Sequence, residues 1–190
     1  MQRATYEKIN RAVIFDRDGV INKLIPTSYG WTSPKNIDEF EWKPNIFDAV
    51  SMLRKYNFKI FVITNQPSIT DEEAYEELKH YISSNLGLDD YITARNKESD
   101  WYKPGDGAFK YLEQTYHLDL KNSYMIGDRW QDIVPAYHNV MTTFLVKTPE
   151  NPWKLPNLYN GYVQPTYIVE SAFEACRKIT DLEYEAINEF

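Results

Sequence analysis

Short apolar runs and amphipathic stretches take turns along almost the whole chain, and no other feature narrows the possible folds so far. "AVIF" (Ala12–Phe15), "KIFVIT" (Lys59–Thr64), "DYITA" (Asp90–Ala94), "SYMIG" (Ser123–Gly127), "TTFLV" (Thr142–Val146) and "TYIV" (Thr166–Val169) are compact runs rich in strand formers. Runs of that length and content suit strands buried on both faces. Between them lie helix patterns. Ile46–Tyr56 puts Ile46, Phe47, Val50 and Leu53 on one face. Thr70 to Glu73 reads as a capping box opening a helix to about Leu86, with Gly87 as its C-terminal cap. Gly107–Tyr116, Gln131–His138 and "ESAFEACRKI" (Glu170–Ile179) complete the set, and Thr148–Pro165, rich in Pro, Asn and Tyr, reads as an ordered loop. This βαβα rhythm predicts an α/β, Rossmann-like, mostly parallel sheet with helices on both faces. At 190 residues the chain has the size of one domain over 1–190.

In such folds ligands sit beyond the carboxyl ends of the strands, so the strand ends are where chemistry is expected. "VIFDRDGV" carries Asp16 and Asp18 one residue apart and then Gly19. Like charges that close repel unless a metal ion or a phosphorus centre lies between them. Both side chains can face one side as the strand ends, and the glycine permits a tight turn or a close ligand approach. One reading is a nucleophile beside a proton-transfer group with Mg²⁺ offsetting their repulsion; a solvated acidic turn or part of a calcium loop has the same string. Thr64, Asn65 and Gln66 end the second strand, where a hydroxyl and freed backbone N–H groups can hold phosphate oxygens. Lys103-Pro104 offers a point charge for a phosphate. "GDRWQD" places Asp128 and Asp132 four apart at a helix start, as a metal ligand with a supporting carboxylate or as a capping aspartate and a solvated one.

Taken in order, "DRDGV", "TNQ", "KP" and "GDRWQD" match the four motifs of the haloacid dehalogenase (HAD) superfamily, and the chain resembles its phosphatases. It is most similar to the branch containing D-glycero-D-manno-heptose 1,7-bisphosphate phosphatase and histidinol-phosphate phosphatase, which share DRDG, an aromatic loop here read as "YGWTSPKNIDEFEWKPN" (Tyr29–Asn45), and TNQ. The resemblance covers about Ala12 to Lys147, with the last strand and helix beyond it. It implies that Asp16 attacks phosphorus to form an aspartyl-phosphate and that Asp18 is the general acid and then the base. It implies Mg²⁺ held by the carboxylates of Asp16 and Asp128 and the backbone carbonyl of Asp18, with Asp132 supporting that set. Arg17, Thr64, Asn65, Gln66 and Lys103 would bind the substrate.

Forty-eight residues separate Asp16 from Thr64 and 39 separate Thr64 from Lys103. With the helices subtracted, neither gap holds a cap domain. Asn22–Phe40 is expected as a loop over the site, with Tyr29 and Trp31 either touching the non-phosphate part of the substrate or packing the loop on the core. The chain departs from the branch in three places: "TARNKESDWYKP" has no Cys or His, so no zinc is expected; "TNQPSITDEE" has Pro67 for a serine and lacks an arginine; and Tyr102 stands where the heptose enzymes have Arg. Losing two cationic positions weakens the case for a bisphosphate substrate, with Arg95, Lys97 and Arg129 as possible compensation.

A net charge of −7 argues against a general nucleic-acid binder while leaving room for a local basic pocket. The single cysteine, Cys176, excludes an intramolecular disulfide framework and a multi-cysteine zinc site. The beginning "MQRATYEKINRA" lacks an apolar signal core and no segment approaches membrane-spanning length, so a soluble cytoplasmic protein is expected. The leading function is a Mg²⁺-dependent phosphomonoesterase acting on a small phosphorylated metabolite, with a sugar phosphate as one candidate. Against it stand a nucleotide or polynucleotide end phosphatase and a non-catalytic relative that binds phosphate or a partner.

Overall fold

In a computed structural model, residues 9–149 and 163–188 are described. Its main sheet has six strands: β1 (Ala12–Phe15), β4 (Lys59–Asn65), β5 (Asp90–Ala94), β6 (Tyr124–Gly127), β7 (Thr142–Val146) and β8 (Tyr167–Val169). They run in the order β5-β4-β1-β6-β7-β8, and every pairing is parallel. Five helices follow the strands: α1 (Ile46–Lys55), α2 (Glu72–Leu86), α3 (Gly107–Tyr116), α4 (Trp130–His138) and α5 (Ala172–Asn188). Two short strands, β2 (Ile25–Thr27) and β3 (Gly30–Thr32), form a separate antiparallel hairpin.

Alternation along β1 divides the core. Val13 and Phe15 face a cluster built with Ile46, Val50 and Leu53 of α1, Leu78 and Ile82 of α2, and Ala175 and Ile179 of α5. Ala12 and Ile14 face the other side, against Ala108, Phe109 and Leu112 of α3 and Ala136 of α4. A central strand covered on both faces has no place for a polar residue until it ends, so the first charged side chains appear together at the strand tips. Among the described residues no helix is long and apolar enough to cross a membrane.

Local differences from the sequence reading have simple causes. The N-cap of α2 is Asp71, whose carboxylate accepts from Ala74 N–H at 3.1 Å, so Thr70 lies one residue outside the helix. Phe47 is half-exposed and packs on the Trp42 ring, 4.9 Å between centroids, because the buried stripe runs through Ile46, Ala49, Val50 and Leu53. That spacing puts Phe47 one position off the stripe. The 22–40 segment contains the β2–β3 hairpin rather than loop alone. Most of the Thr148–Pro165 loop, with Trp153, lies outside the described residues.

Asp89 ties α1 to the sheet. Its carboxylate accepts from Arg54 Nη1 (2.6 Å), Lys59 Nζ (2.7 Å) and Ile60 N–H (2.8 Å). Burial pushes this carboxyl up, but the bonds from Lys59, Ile60 and Arg54 outweigh it and hold it below its ordinary value. Because the folded value is the lower one, the stabilisation is complete above the unfolded value of about 3.9 and fades as pH falls through the folded one. Asp89→Asn is therefore expected to cost about 1–3 kcal/mol at neutral pH. In urea melts the difference from the native protein narrows as the buffer is taken to about pH 3.

Candidate active site

Chain order reverses direction at β1: the path steps outward through β4 and β5, then returns to β6 and leaves through β7 and β8. The crevice at such a reversal, beyond the strand ends, is where doubly wound sheets bind ligands. Asp16 follows β1, Asp128 follows β6, and Thr64 and Asn65 end β4, so three adjacent strands deliver these groups to one place. Glycines let them approach. Gly19 has φ +84°, and a Cβ there would stand 2.6 Å from Asp128 Oδ2. At Gly127 a Cβ would stand 2.2 Å from the Asp132 Cβ.

A cavity of about 270 Å³ opens at this crevice. Asp16 and Asp18 line it together with Thr64, Asn65, Gln66, Lys103 and Asp132. One oxygen each of Asp16, Asp128 and Asp132 lie within 4.8 Å of one another, all three residues buried. Lys103, only 2% exposed, sits among them: its Nζ donates to Asp16 Oδ1 (2.7 Å), Asp132 Oδ1 (2.5 Å) and the Ile63 carbonyl (2.7 Å). Asp132 also accepts from Arg129 N–H at 3.0 Å, closing the first turn of α4. It faces back toward the strand ends, beside Asp128, and is buried instead of solvated.

Burial pushes the Asp16 carboxyl up to about 6; the Lys103 ammonium opposes this, and the Asp132 and Asp18 carboxylates add to it. Burial, followed by the charges of Asp16 and Asp132, drives Asp128 well above the ordinary carboxylate range. Lys103 is pulled down by burial but raised further by Asp132 and Asp16, so it stays charged. Four buried carboxylates face two buried cations, Arg17 and Lys103. An oxygen-only donor set with surplus negative charge fits a hard divalent cation such as Mg²⁺. Asp16 and Asp128 would supply the carboxylates, and Asp132 orients Lys103 beside them.

Asp18 differs from Asp16. Its carboxylate accepts from Arg17 Nε and Nη2 (2.8–3.0 Å), Asn22 Nδ2 (3.1 Å) and Gln66 Nε2 (2.5 Å). Burial raises this carboxyl, but Arg17 and the hydrogen bonds outweigh it and hold it below its ordinary value. Two adjacent aspartates thus have opposite proton affinities, the arrangement expected of residues with different tasks.

The remaining expected residues divide. Thr64 Oγ1 lines the cavity and accepts from Gln66 Nε2 at 2.9 Å, so Gln66 joins Thr64 to Asp18. Arg17 does not line the cavity: it is fully buried, bonded to Asp18 and to the Pro34 carbonyl (3.1 Å), with its guanidinium 5.9 Å from the Tyr75 ring centre. Its place is behind Asp18 rather than against substrate. Trp31, half-exposed, lines the cavity, whereas Tyr29 at the hairpin tip is 99% exposed. Arg95 pairs with Glu72, and neither it nor Lys97 lines the cavity. Arg129 lines it, half-exposed, with Nε 3.8 Å from Asp128. Lys35 and Gln131 also line it and were not singled out from sequence; Lys35 belongs to the aromatic-loop stretch, which was the available signal.

Comparison with known proteins agrees with this geometry. Residues 101–175 match the HAD-hydrolase-like family model. The D-glycero-beta-D-manno-heptose-1,7-bisphosphate 7-phosphatase of Escherichia coli K12 is 30% identical over 157 residues, spanning 72% of this chain and 79% of that protein. The Helicobacter pylori J99 protein of the same name is 27% identical over 161 residues, 78% of this chain and 88% of its own. Among solved structures, D,D-heptose 1,7-bisphosphate phosphatase from B. bronchiseptica, complexed with magnesium and phosphate, superposes with a TM-score of 0.72 at 20% identity, covering 90% of this chain and 99% of that one. A putative HAD-like phosphatase from Mesorhizobium loti gives 0.69 at 18% identity, over 96% and 91%. Kinship of that extent, on a fold without a large cap, makes this chain a member of the HAD-like hydrolases, on the phosphatase side of that family.

Proposed function

We propose that the protein is a Mg²⁺-dependent phosphomonoesterase acting on a small sugar phosphate, with the whole chain serving as one catalytic domain. The observation that carries this reading is the buried Asp16 carboxylate, held at 2.7 Å by Lys103 on the wall of a cavity it shares with Asp18. In this reading an oxygen of Asp16 attacks phosphorus and the ester P–O bond breaks. Asp18 gives its proton to the departing sugar oxygen. Water then attacks the aspartyl-phosphate, Asp18 takes the proton back, and the Asp16–phosphorus bond breaks to release inorganic phosphate. Bound magnesium would supply charge neutralisation for the phosphoryl oxygens. The Thr64 hydroxyl holds the same group from the protein side, and the Lys103 ammonium, bonded to Asp16, adds positive charge beside it.

The lowered pKa of Asp18 keeps it ionised in the empty site, the form that later takes a proton from water. Arrival of a phosphate dianion beside it is a like-charge perturbation, which raises a carboxyl pKa and favours the protonated acid needed first. A cavity of about 270 Å³ suits a small metabolite, and the curated relatives act on a heptose bisphosphate by name. A heptose phosphate is therefore the first candidate, with Arg129 and Lys35 the cationic side chains on the cavity available to a second anionic group.

A screen of sugar mono- and bisphosphates, histidinol phosphate, nucleotides and phosphorylated DNA ends, read as phosphate release, tests the substrate class. EDTA is expected to stop turnover and added Mg²⁺ to restore it, while elemental analysis of the active protein finds no stoichiometric zinc. Metal-independent hydrolysis, or a tightly held zinc, would contradict this.

A further inference from the structure

Asn65 lies at the cavity, directly after Thr64, where a side-chain amide could reach a phosphate. Both ends of that amide are already engaged. Its Nδ2 donates to the Lys103 carbonyl at 2.8 Å, and its Oδ1 accepts from the Lys103 N–H at 3.0 Å. One planar group thus closes a two-bond ring on the backbone of a residue 38 positions away.

Lys103 needs such support. It belongs to the stretch between β5 and α3, residues 95–106, which contains neither strand nor helix. That stretch is organised by local turn bonds: Ser99 N–H to the Asn96 carbonyl, Tyr102 N–H to Ser99 and Gly105 N–H to Tyr102, with Gly107 N–H returning to Asp100. None of these four bonds fixes the stretch to the sheet. Asn65, the last residue of β4, does so at Lys103 itself. The far end of the same lysine returns to β4, where Nζ donates to the Ile63 carbonyl at 2.7 Å. Lys103 is therefore gripped at its backbone and at its ammonium by residues two apart on one rigid strand.

On the reading of Asp16 and Lys103 given above, we propose that Asn65 is a positioning residue that acts through Lys103 rather than on substrate. By fixing the lysine backbone it sets where the ammonium stands relative to the attacking Asp16 oxygen. An ammonium with three protons directed at Asp16, Asp132 and Ile63 has little latitude. A displacement of about 1 Å at a reacting group costs on the order of 100-fold in rate.

The test uses the full chain with Asn65→Ala, which removes both bonds, and Asn65→Asp, which keeps the acceptor and sets a second oxygen against the Lys103 carbonyl. Both variants are expected to melt near the native temperature. With p-nitrophenyl phosphate and Mg²⁺, kcat falls about 10- to 100-fold in each while KM stays within about threefold. In Asn65→Ala, hydrogen exchange, measured without substrate, speeds up at the Lys103 amide and its neighbours and is unchanged in β1 and β6. A raised KM with intact kcat would mean that Asn65 touches substrate and would overturn the proposal, as would native-like exchange at Lys103. If the native protein hydrolyses no phosphate ester, the phosphatase reading fails, and the exchange result still decides whether Asn65 holds Lys103.

Discussion

With Asp16 replaced by asparagine, the protein keeps its fold and loses turnover by about four orders of magnitude or more. The size of the effect follows from the role. An amide oxygen is a poor nucleophile toward phosphorus, and no neighbouring group can take over the attack. Asp18 is turned into Arg17, Asn22 and Gln66, and Asp132 is committed to Lys103 and Arg129 N–H. The fold survives because the substitution removes one member of a crowd of like charges while Lys103 keeps its bonds to Asp132 and Ile63. Single-turnover assays with p-nitrophenyl phosphate, beside a thermal melt, separate lost chemistry from lost structure. Turnover equal to native would remove Asp16 from the centre of the reaction.

Lys103→Met has the second large effect, and it falls on stability as well as activity. Among the described residues, the lysine is the fully buried cation in hydrogen-bond contact with Asp16 and Asp132. Removing one partner of a buried ionic set leaves the others uncompensated, at a cost of about 3–5 kcal/mol. For a chain of this size, with about 2–4 °C lost per kcal/mol, that is a fall of roughly 6–20 °C in Tm without metal. Magnesium should recover part of it. A divalent cation binding only the folded state stabilises by mass action, and it meets less competition once the ammonium is gone. Calorimetry with and without Mg²⁺ is therefore expected to show a larger metal-induced rise in Tm for the variant than for the native protein. An unchanged Tm in metal-free buffer would show that the carboxylates do not depend on this lysine.

The sheet was legible because burial on both faces forces short, unbroken apolar runs such as "AVIF" and "KIFVIT". The site was legible for a related reason: a parallel sheet brings consecutive strand ends to one edge, so four polar punctuations in order already imply proximity. What the linear order withheld was direction. Asp18 and Arg17 are neighbours in sequence, yet nothing there says that the arginine turns inward under Tyr75 and Pro34 instead of outward to substrate. Asn65 and Lys103 are 38 residues apart, and no local pattern announces a side chain that closes on a distant backbone. The β2–β3 hairpin escaped because "IPT" holds a proline and is largely exposed, unlike a core strand. Asp71 displaced Thr70 as the α2 cap because either residue type can serve and the choice rests on a single position of chain path.

The excursion that carries that hairpin begins and ends at the same point. Lys23 N–H donates to the Glu41 carbonyl and Lys43 N–H to the Ile21 carbonyl, both at 2.8 Å, so its two stems are clasped before the chain proceeds to α1. Beyond the clasp, the segment reaches the reactive groups through the Pro34 carbonyl on Arg17, and doubling the length of the excursion adds only about 0.6 kcal/mol of closure entropy. Nature, or an engineer, can exchange the hairpin tip and so alter which molecules are admitted, provided that the Pro34 carbonyl behind Arg17 is kept.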